Sequence, residues 1–78
     1  ALDALLRDAP RLLRPGGRIG ILSFHSGEDR LVKDSFREGR RAGRYAAVSA
    51  EVLRPSSDEV RSNPRSAPAR FRWAVRGS

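Results

Sequence analysis

The sequence predicts an α/β protein whose elements run helix, strand, helix, strand, short helix, strand. Three observations carry that reading. Leucines recur at helical spacing over residues 2–13, and an isoleucine- and leucine-rich run over 18–24 does not alternate with polar residues. Two Ser-x-x-acid signals, Ser26 with Asp29 and Ser56 with Glu59, each announce a helix start.

Leu2, Leu5, Leu6, Ala9, Leu12 and Leu13 fall at i, i+3, i+4 and i+7 spacings and so share one face of an amphipathic helix. Pro10 has no N–H to donate and crowds the preceding turn, so a kink or restart is expected there; Pro15-Gly16-Gly17 then ends the helix. These glycines precede the strand and form no GxGxxG run after it, so turn geometry rather than dinucleotide binding explains them. Arg18 to Phe24 reads as a central parallel strand covered on both faces. Ser26 is the expected N-cap of a helix running to about Arg37–Arg41, with Leu31, Val32 and Phe36 turned inward. After a basic connection over Arg40–Arg44, Tyr45, Val48, Val52 and Leu53 make Tyr45–Leu53 a weaker strand candidate. Ser56 with Glu59 opens a short helix that Asn63-Pro64 stops. Ala69 to Arg76 alternates Phe71, Trp73 and Val75 with Arg70, Arg72 and Arg76, the pattern of a half-buried strand with one basic face. A three-stranded piece whose central strand needs cover on both sides reads as the end of a larger sheet.

Seventy-eight residues make at most one small domain. With no cysteine and a single histidine, disulfides and thiolate metal sites are excluded, and no metal site is expected. The longest apolar stretch, around Ile19–Phe24, is far short of the roughly 20 residues that span a bilayer, and no secretory leader is apparent. A soluble, cytoplasmic protein without a membrane partner is the expectation. The chain opens on Ala1 inside a helical pattern, which suggests a fragment. Its net charge of +7, from fifteen arginines and Lys33 against nine acids, favours a polyanionic partner such as nucleic acid, although part of such an excess can be ordinary solvated surface.

In open α/β sheets the ligand crevice lies beyond the carboxyl ends of the strands, where His25, Ser26, Glu28, Asp29 and Arg30 fall. His25 with the two acids could form a general-base constellation, while both acids are equally explained by the start of a helix and its dipole. Asn63-Pro64-Arg65-Ser66 followed by Arg70-Phe71-Arg72-Trp73 interleaves arginines with aromatics. That mixture can hold phosphates and stack on unpaired bases; alternatively Phe71 and Trp73 are core and the arginines face water.

Taken in order, Leu13-Arg14-Pro15-Gly16-Gly17-Arg18, Ser23-Phe24-His25-Ser26-Gly27-Glu28-Asp29-Arg30-Leu31-Val32-Lys33, Pro55-Ser56 with Glu59, Asn63-Pro64-Arg65-Ser66 and Ala69-Arg70-Phe71-Arg72 closely resemble one family. It is the RsmH/MraW family of ribosomal RNA small-subunit cytosine-N4 methyltransferases, and the resemblance covers almost the full chain. It implies the C-terminal part of a class I, Rossmann-like methyltransferase sheet, three strands with flanking helices, with residues 1–78 forming the C-terminal portion of a single catalytic domain. The strands would be the last parallel one, near Arg18–Phe24, and the two that finish the sheet, the final one antiparallel. The implied reaction is methyl transfer from S-adenosylmethionine to the exocyclic amine of a cytidine in 16S ribosomal RNA of the small ribosomal subunit.

The family's glycine-rich cofactor loop and ribose-binding acid have no counterpart in residues 1–78, so no cofactor-binding residue is carried over. The resemblance puts Ser23, Phe24, His25 and Ser26 near the target cytidine, with His25 as the candidate catalytic proton acceptor. It makes Asn63, Arg65, Ser66, Arg70 and Arg72 candidates to support the site or touch RNA. Gly27 stands where relatives commonly have leucine, and Ala67-Pro68 replaces an Arg-Ser pair, which removes one guanidinium from the RNA surface and stiffens the approach to the last strand. The competing readings are a non-catalytic basic RNA-binding module and an inactive truncated fragment. An exposed sheet edge would also favour a homodimer.

Overall fold

The isoleucine- and leucine-rich run becomes β1 (Arg18–Ser23), preceded by α1 (Leu2–Leu12) and followed by α2 (Ser26–Arg41) in the computed structural model, which describes residues 2–77. The chain continues through β2 (Tyr45–Val48), α3 (Ser57–Ser62), a 3₁₀ turn (Pro64–Ser66) and β3 (Arg70–Arg76). All six predicted elements are present in the predicted order. The sheet order is β1-β3-β2, with β3 antiparallel to both neighbours. β1 and β2 therefore run in the same direction but never touch. The last strand is antiparallel, as expected, whereas β1 is an edge of the described sheet instead of a central parallel strand.

Helix α2 packs across the sheet and α1 packs on α2, both covering one face. The core joins Leu6 of α1, Val32 and Phe36 of α2, Tyr45 of β2 and Ala74 of β3, with Ile19 and Ile21 of β1 packed against it. The small Ala74 side chain, fully buried, leaves room for α2 to lie close to the sheet. Because strand side chains alternate, Leu22 of β1 and Phe71 and Trp73 of β3 project from the opposite face, which no helix covers; Leu22 is 55% exposed. The non-alternating apolar pattern predicts cover on both faces. Among the described residues only one face receives it.

Several local expectations change for identifiable reasons. α1 runs through Pro10 without a restart, because the ladder resumes beyond it with the Leu13 N–H donating to the Ala9 carbonyl at 3.0 Å. Leu5 and Leu12, expected on the buried face, are exposed. Leu31 is 48% exposed, since the buried stripe of α2 runs through Val32, Phe36 and Gly39, at i, i+4 and i+7 spacing. His25, not Ser26, is the N-cap of α2, and no side chain caps that end. The second strand stops at Val48. The Ser49 hydroxyl then accepts the Trp73 N–H at 3.2 Å, and the chain bulges away until Leu53 exchanges two backbone hydrogen bonds with Phe71 at 2.9 Å each. The capping box at Ser56 and Glu59 forms as predicted, with the Glu59 N–H donating to Ser56 Oγ at 3.1 Å.

The turn before β1 is tied to β3. Gly16, at φ +80°, donates to the Arg76 carbonyl at 2.9 Å, and the Arg76 N–H donates to the Gly17 carbonyl at 2.8 Å. The Arg76 guanidinium also donates to the Leu13 carbonyl, so the C-terminus of α1, the turn and the end of β3 are one hydrogen-bonded unit. Gly39 serves packing: the Tyr45 ring lies where its Cβ would be, with ring carbons 2.4 and 2.6 Å from that point. The same ring meets Phe36 edge-on at a centroid distance of 5.5 Å.

Gly39→Ala sets a helix preference of about 1 kcal/mol for alanine against overpacking of about 1–3 kcal/mol. We expect a net loss of stability, read as a lower midpoint in a thermal melt followed by circular dichroism. A raised midpoint would mean that the Tyr45 ring moves aside freely.

Candidate functional site

The uncovered face of the sheet ends, at the carboxyl end of β1, in a cavity of about 510 Å³. Its apolar walls are Leu22, Phe24, Leu53, Pro55 and Phe71. Phe24 follows the last residue of β1 and is exposed, while Phe71 leans diagonally across the strand pair so that its ring covers Gly20. Any side chain at Gly20 would collide with that ring, since a Cβ there would lie 2.5 Å from its tip. The polar wall comes from Asn63, Arg65 and Ser66, with Arg54 and Glu59 beside them. Residues separated by some forty positions of sequence, Leu22 and Phe24 on one side and Asn63, Arg65 and Ser66 on the other, thus meet at one site.

The polar wall is braced from within. The Asn63 carbonyl accepts both the Ser66 N–H at 2.9 Å and the Ser66 hydroxyl at 2.8 Å. Arg70 donates to the Ala67 and Ala69 carbonyls at 3.1 and 2.9 Å, holding the loop that carries Arg65. Arg70 is therefore a brace, while Arg65 remains exposed on the cavity rim.

Arg72 is turned the other way. Its Nε and Nη2 donate to Asp29 Oδ1 and Oδ2 at 2.7 and 3.1 Å, a two-pronged pair joining β3 to the first turn of α2. The two side chains are 12% and 18% exposed. The hydrogen bond from Arg72 holds the Asp29 carboxyl below its ordinary value, outweighing the partial burial that would raise it. Asp29 is thus a partner of β3 rather than half of a capping box, and Arg72 does not join the cavity. The basic face expected for β3 is in fact the face under the helices, and the aromatic face is the open one.

Ser23 is buried under the helices, and Ser26 is exposed on the first turn of α2. His25 is exposed beside Phe24, and its carbonyl accepts the Asp29 N–H at 3.0 Å. Neither Ser26 nor His25 lines the cavity. Leu53, Arg54 and Pro55 also line it; the sequence marks Leu53 as part of a strand and Pro55 as part of a motif but makes none of the three a site residue, because their place depends on the chain rejoining β3 at Leu53. Pro55, which restricts the residue before it to extended backbone, was the one local signal.

Among the described residues no group of His, Asp and Glu is arranged to hold a metal ion. The cavity offers a sulfonium nucleoside no free carboxylate for its ribose hydroxyls or its positive charge: the only one lining it is Glu59, already engaged with the Ser56 N–H in the capping box.

The cavity lies at the carboxyl end of a strand, the end at which open α/β sheets bind their ligands, on a strongly basic chain. The model of the MraW methylase family matches residues 1–77, and the chain belongs to that family of methyltransferases. It is 51% identical over 75 residues to ribosomal RNA small subunit methyltransferase H 1 of Lachnoclostridium phytofermentans, covering 96% of this chain and 20% of that protein. The like-named protein of Agathobacter rectalis is also 51% identical, over 96% of this chain and 22% of its own length. Ribosomal RNA small subunit methyltransferase H of Thermotoga neapolitana is 51% identical over 92% of this chain and 23% of its own length. The chain spans about a fifth to a quarter of the curated relatives it matches. No described helix is long and apolar enough to cross a membrane.

Asp29→Ala leaves the largely enclosed Arg72 guanidinium without its partner and should cost about 2–3 kcal/mol. Because the folded carboxyl ionises more readily than the unfolded one, the pair contributes fully at neutral pH. Its contribution fades as pH falls below the ordinary value of 3.8 toward the depressed folded one. Urea unfolding at stepped pH should show the wild type losing stability there more steeply than the variant. Parallel acid limbs would remove the pair from the account.

Proposed function

We propose that residues 1–78 form the C-terminal portion of a single methyltransferase catalytic domain, in a larger cytoplasmic enzyme that methylates the N4 amine of a cytidine in 16S ribosomal RNA. The observation that carries this reading is the family match across nearly the whole chain, ending in relatives named for methylating ribosomal RNA of the small subunit. The cavity supports it, since its flat apolar walls and guanidinium rim suit an unstacked base attached to a phosphate backbone. S-adenosylmethionine is the proposed methyl donor, and its binding residues are assigned to the remainder of the enzyme.

The chemistry asks chiefly for orientation. The lone pair on cytosine N4 is delocalised into the ring, so the amine is a poor nucleophile, and holding it in line with an electrophilic methyl group supplies much of the catalysis. Phe24 and Phe71 are assigned to hold the base by its faces. Asn63 and Ser66 form the polar wall against which its edge can be set, and Arg65 neutralises the adjoining phosphate. The amine must also lose a proton. His25, next to Phe24, is the proposed acceptor or relay.

In the full-length enzyme, Phe24→Ala should raise the KM for RNA about tenfold, in line with the 1–3 kcal/mol that one stacked base is worth. His25→Ala should lower kcat with little change in KM. Transfer of a labelled methyl group to 16S ribosomal RNA measures both. A Phe24 variant with wild-type KM would remove the cavity as the base site, and a His25 variant with wild-type kcat would remove the proton role.

A further inference from the structure

A second concavity, about 440 Å³, lies on the other side of the sheet from the candidate base site, between α2 and the chain leaving β2. Its floor is Phe36 and Val48, and its wall along α2 carries Lys33, Arg37, Arg40 and Arg41. These positions are spaced i, i+4, i+7 and i+8, so the four cations lie along one face of one helix. No acidic side chain lines the groove. Arg41 is paired with Glu38 at 3.3 Å on the exposed flank, and Arg72 at the base of the groove is occupied by Asp29. Lys33, Arg37 and Arg40 make no ion pair among the described residues.

Three exposed cations without an ion-pair partner, aligned on a helix beside a concavity with no carboxylate, leave a local positive charge that Asp29, shared between Arg72 and Lys33, offsets only in part. Nothing in the packing calls for it, because the helix is held to the core by Val32 and Phe36, while the three cations are exposed. The segment from Ser49 to Pro55 links this groove to the base site: Ser49 and Ala50 border the groove, while Leu53, Arg54 and Pro55 border the cavity. A chain of phosphates leaving the cavity would meet Arg54 at that border and then the row on α2.

We propose that the groove along α2 binds the phosphate backbone of the RNA strand flanking the target nucleotide, with Lys33, Arg37 and Arg40 as its contacts. The identity of the strand rests on the reading of the base site as a ribosomal RNA methylation site. The groove itself rests only on its charge and shape. Contacts of this kind are independent of base sequence and release counterions, so they appear in the salt dependence of binding.

The test is fluorescence anisotropy of the full-length enzyme with a labelled 16S RNA segment and with a scrambled RNA of equal length, over a salt series. Lys33→Gln/Arg37→Gln/Arg40→Gln should weaken binding to both RNAs about tenfold or more near physiological salt. It should also lower the slope of log affinity against log salt by about 2–3, one phosphate per residue lost. Arg37→Lys/Arg40→Lys keeps the charges and should retain the wild-type slope. An unchanged slope with affinity within twofold in the triple variant would overturn the proposal, as would a loss confined to one RNA sequence. Methyl transfer is measured on the same samples. An enzyme that shows no transfer to 16S RNA, yet loses RNA affinity in the triple variant, would overturn the functional reading and leave the groove standing. Normal transfer with an unchanged salt slope would do the reverse.

Discussion

The pair between Arg72 and Asp29 goes with the choice of which face of β3 turns toward the helices, and the rest of the structure follows from that choice. Side chains alternate along a strand, so a shift by one residue would exchange the two faces completely. With Arg72 and Ala74 beneath the helices, Phe71, Trp73 and Val75 face away from them. An arginine in that position needs a carboxylate, because a partly enclosed guanidinium without one is costly. Asp29 supplies it from the first turn of α2, so one contact sets the face of the strand and ties the start of the helix to the sheet.

Two further consequences bear on function. β3 lies between β1 and β2, which puts the carboxyl ends of both outer strands at the same end of the sheet as the start of β3. The loops that follow β1 and precede β3 are thereby neighbours, and Phe24 comes to face Asn63–Ser66. The open face is mostly apolar, from Val75 and Trp73 to Phe71 and Leu22, with Arg18 at one end. A small chain with a single covered face has limited apolar burial to set against its conformational entropy. The matching relatives are four to five times longer than this chain.

The positive charge divides into distinct uses. Arg70, Arg72 and Arg76 are structural, bonded to loop carbonyls, to Asp29 and to the Leu13 carbonyl. Arg54 and Arg65 rim the cavity, and the row on α2 forms the second basic surface. The strand that looked most like a nucleic-acid surface is thus the one whose arginines are already engaged. Net charge alone is a statement about partners and solubility; where each guanidinium lies decides which of them can meet a phosphate.

The sequence by itself determined the order of the elements, because that order rests on local physics: helical periodicity in α1, a β-rich run in β1, the Ser56–Glu59 capping box, and the Pro-Gly-Gly turn. The family resemblance named both the Ser23–Ser26 and Asn63–Ser66 stretches as candidates; of these residues the cavity is lined by Phe24, Asn63, Arg65 and Ser66, and not by Ser23, His25 or Ser26. Only the tertiary structure decided that β1 is an edge of the described sheet, that Asp29 serves Arg72 instead of a helix cap, that Leu53 rejoins the sheet, and which face of β3 is open among the described residues. Each of these depends on a partner distant along the chain. The alternation of Phe71, Trp73 and Val75 with arginines fixes two faces but carries no label for which one the helices cover, and that label comes from Asp29, forty-three residues earlier.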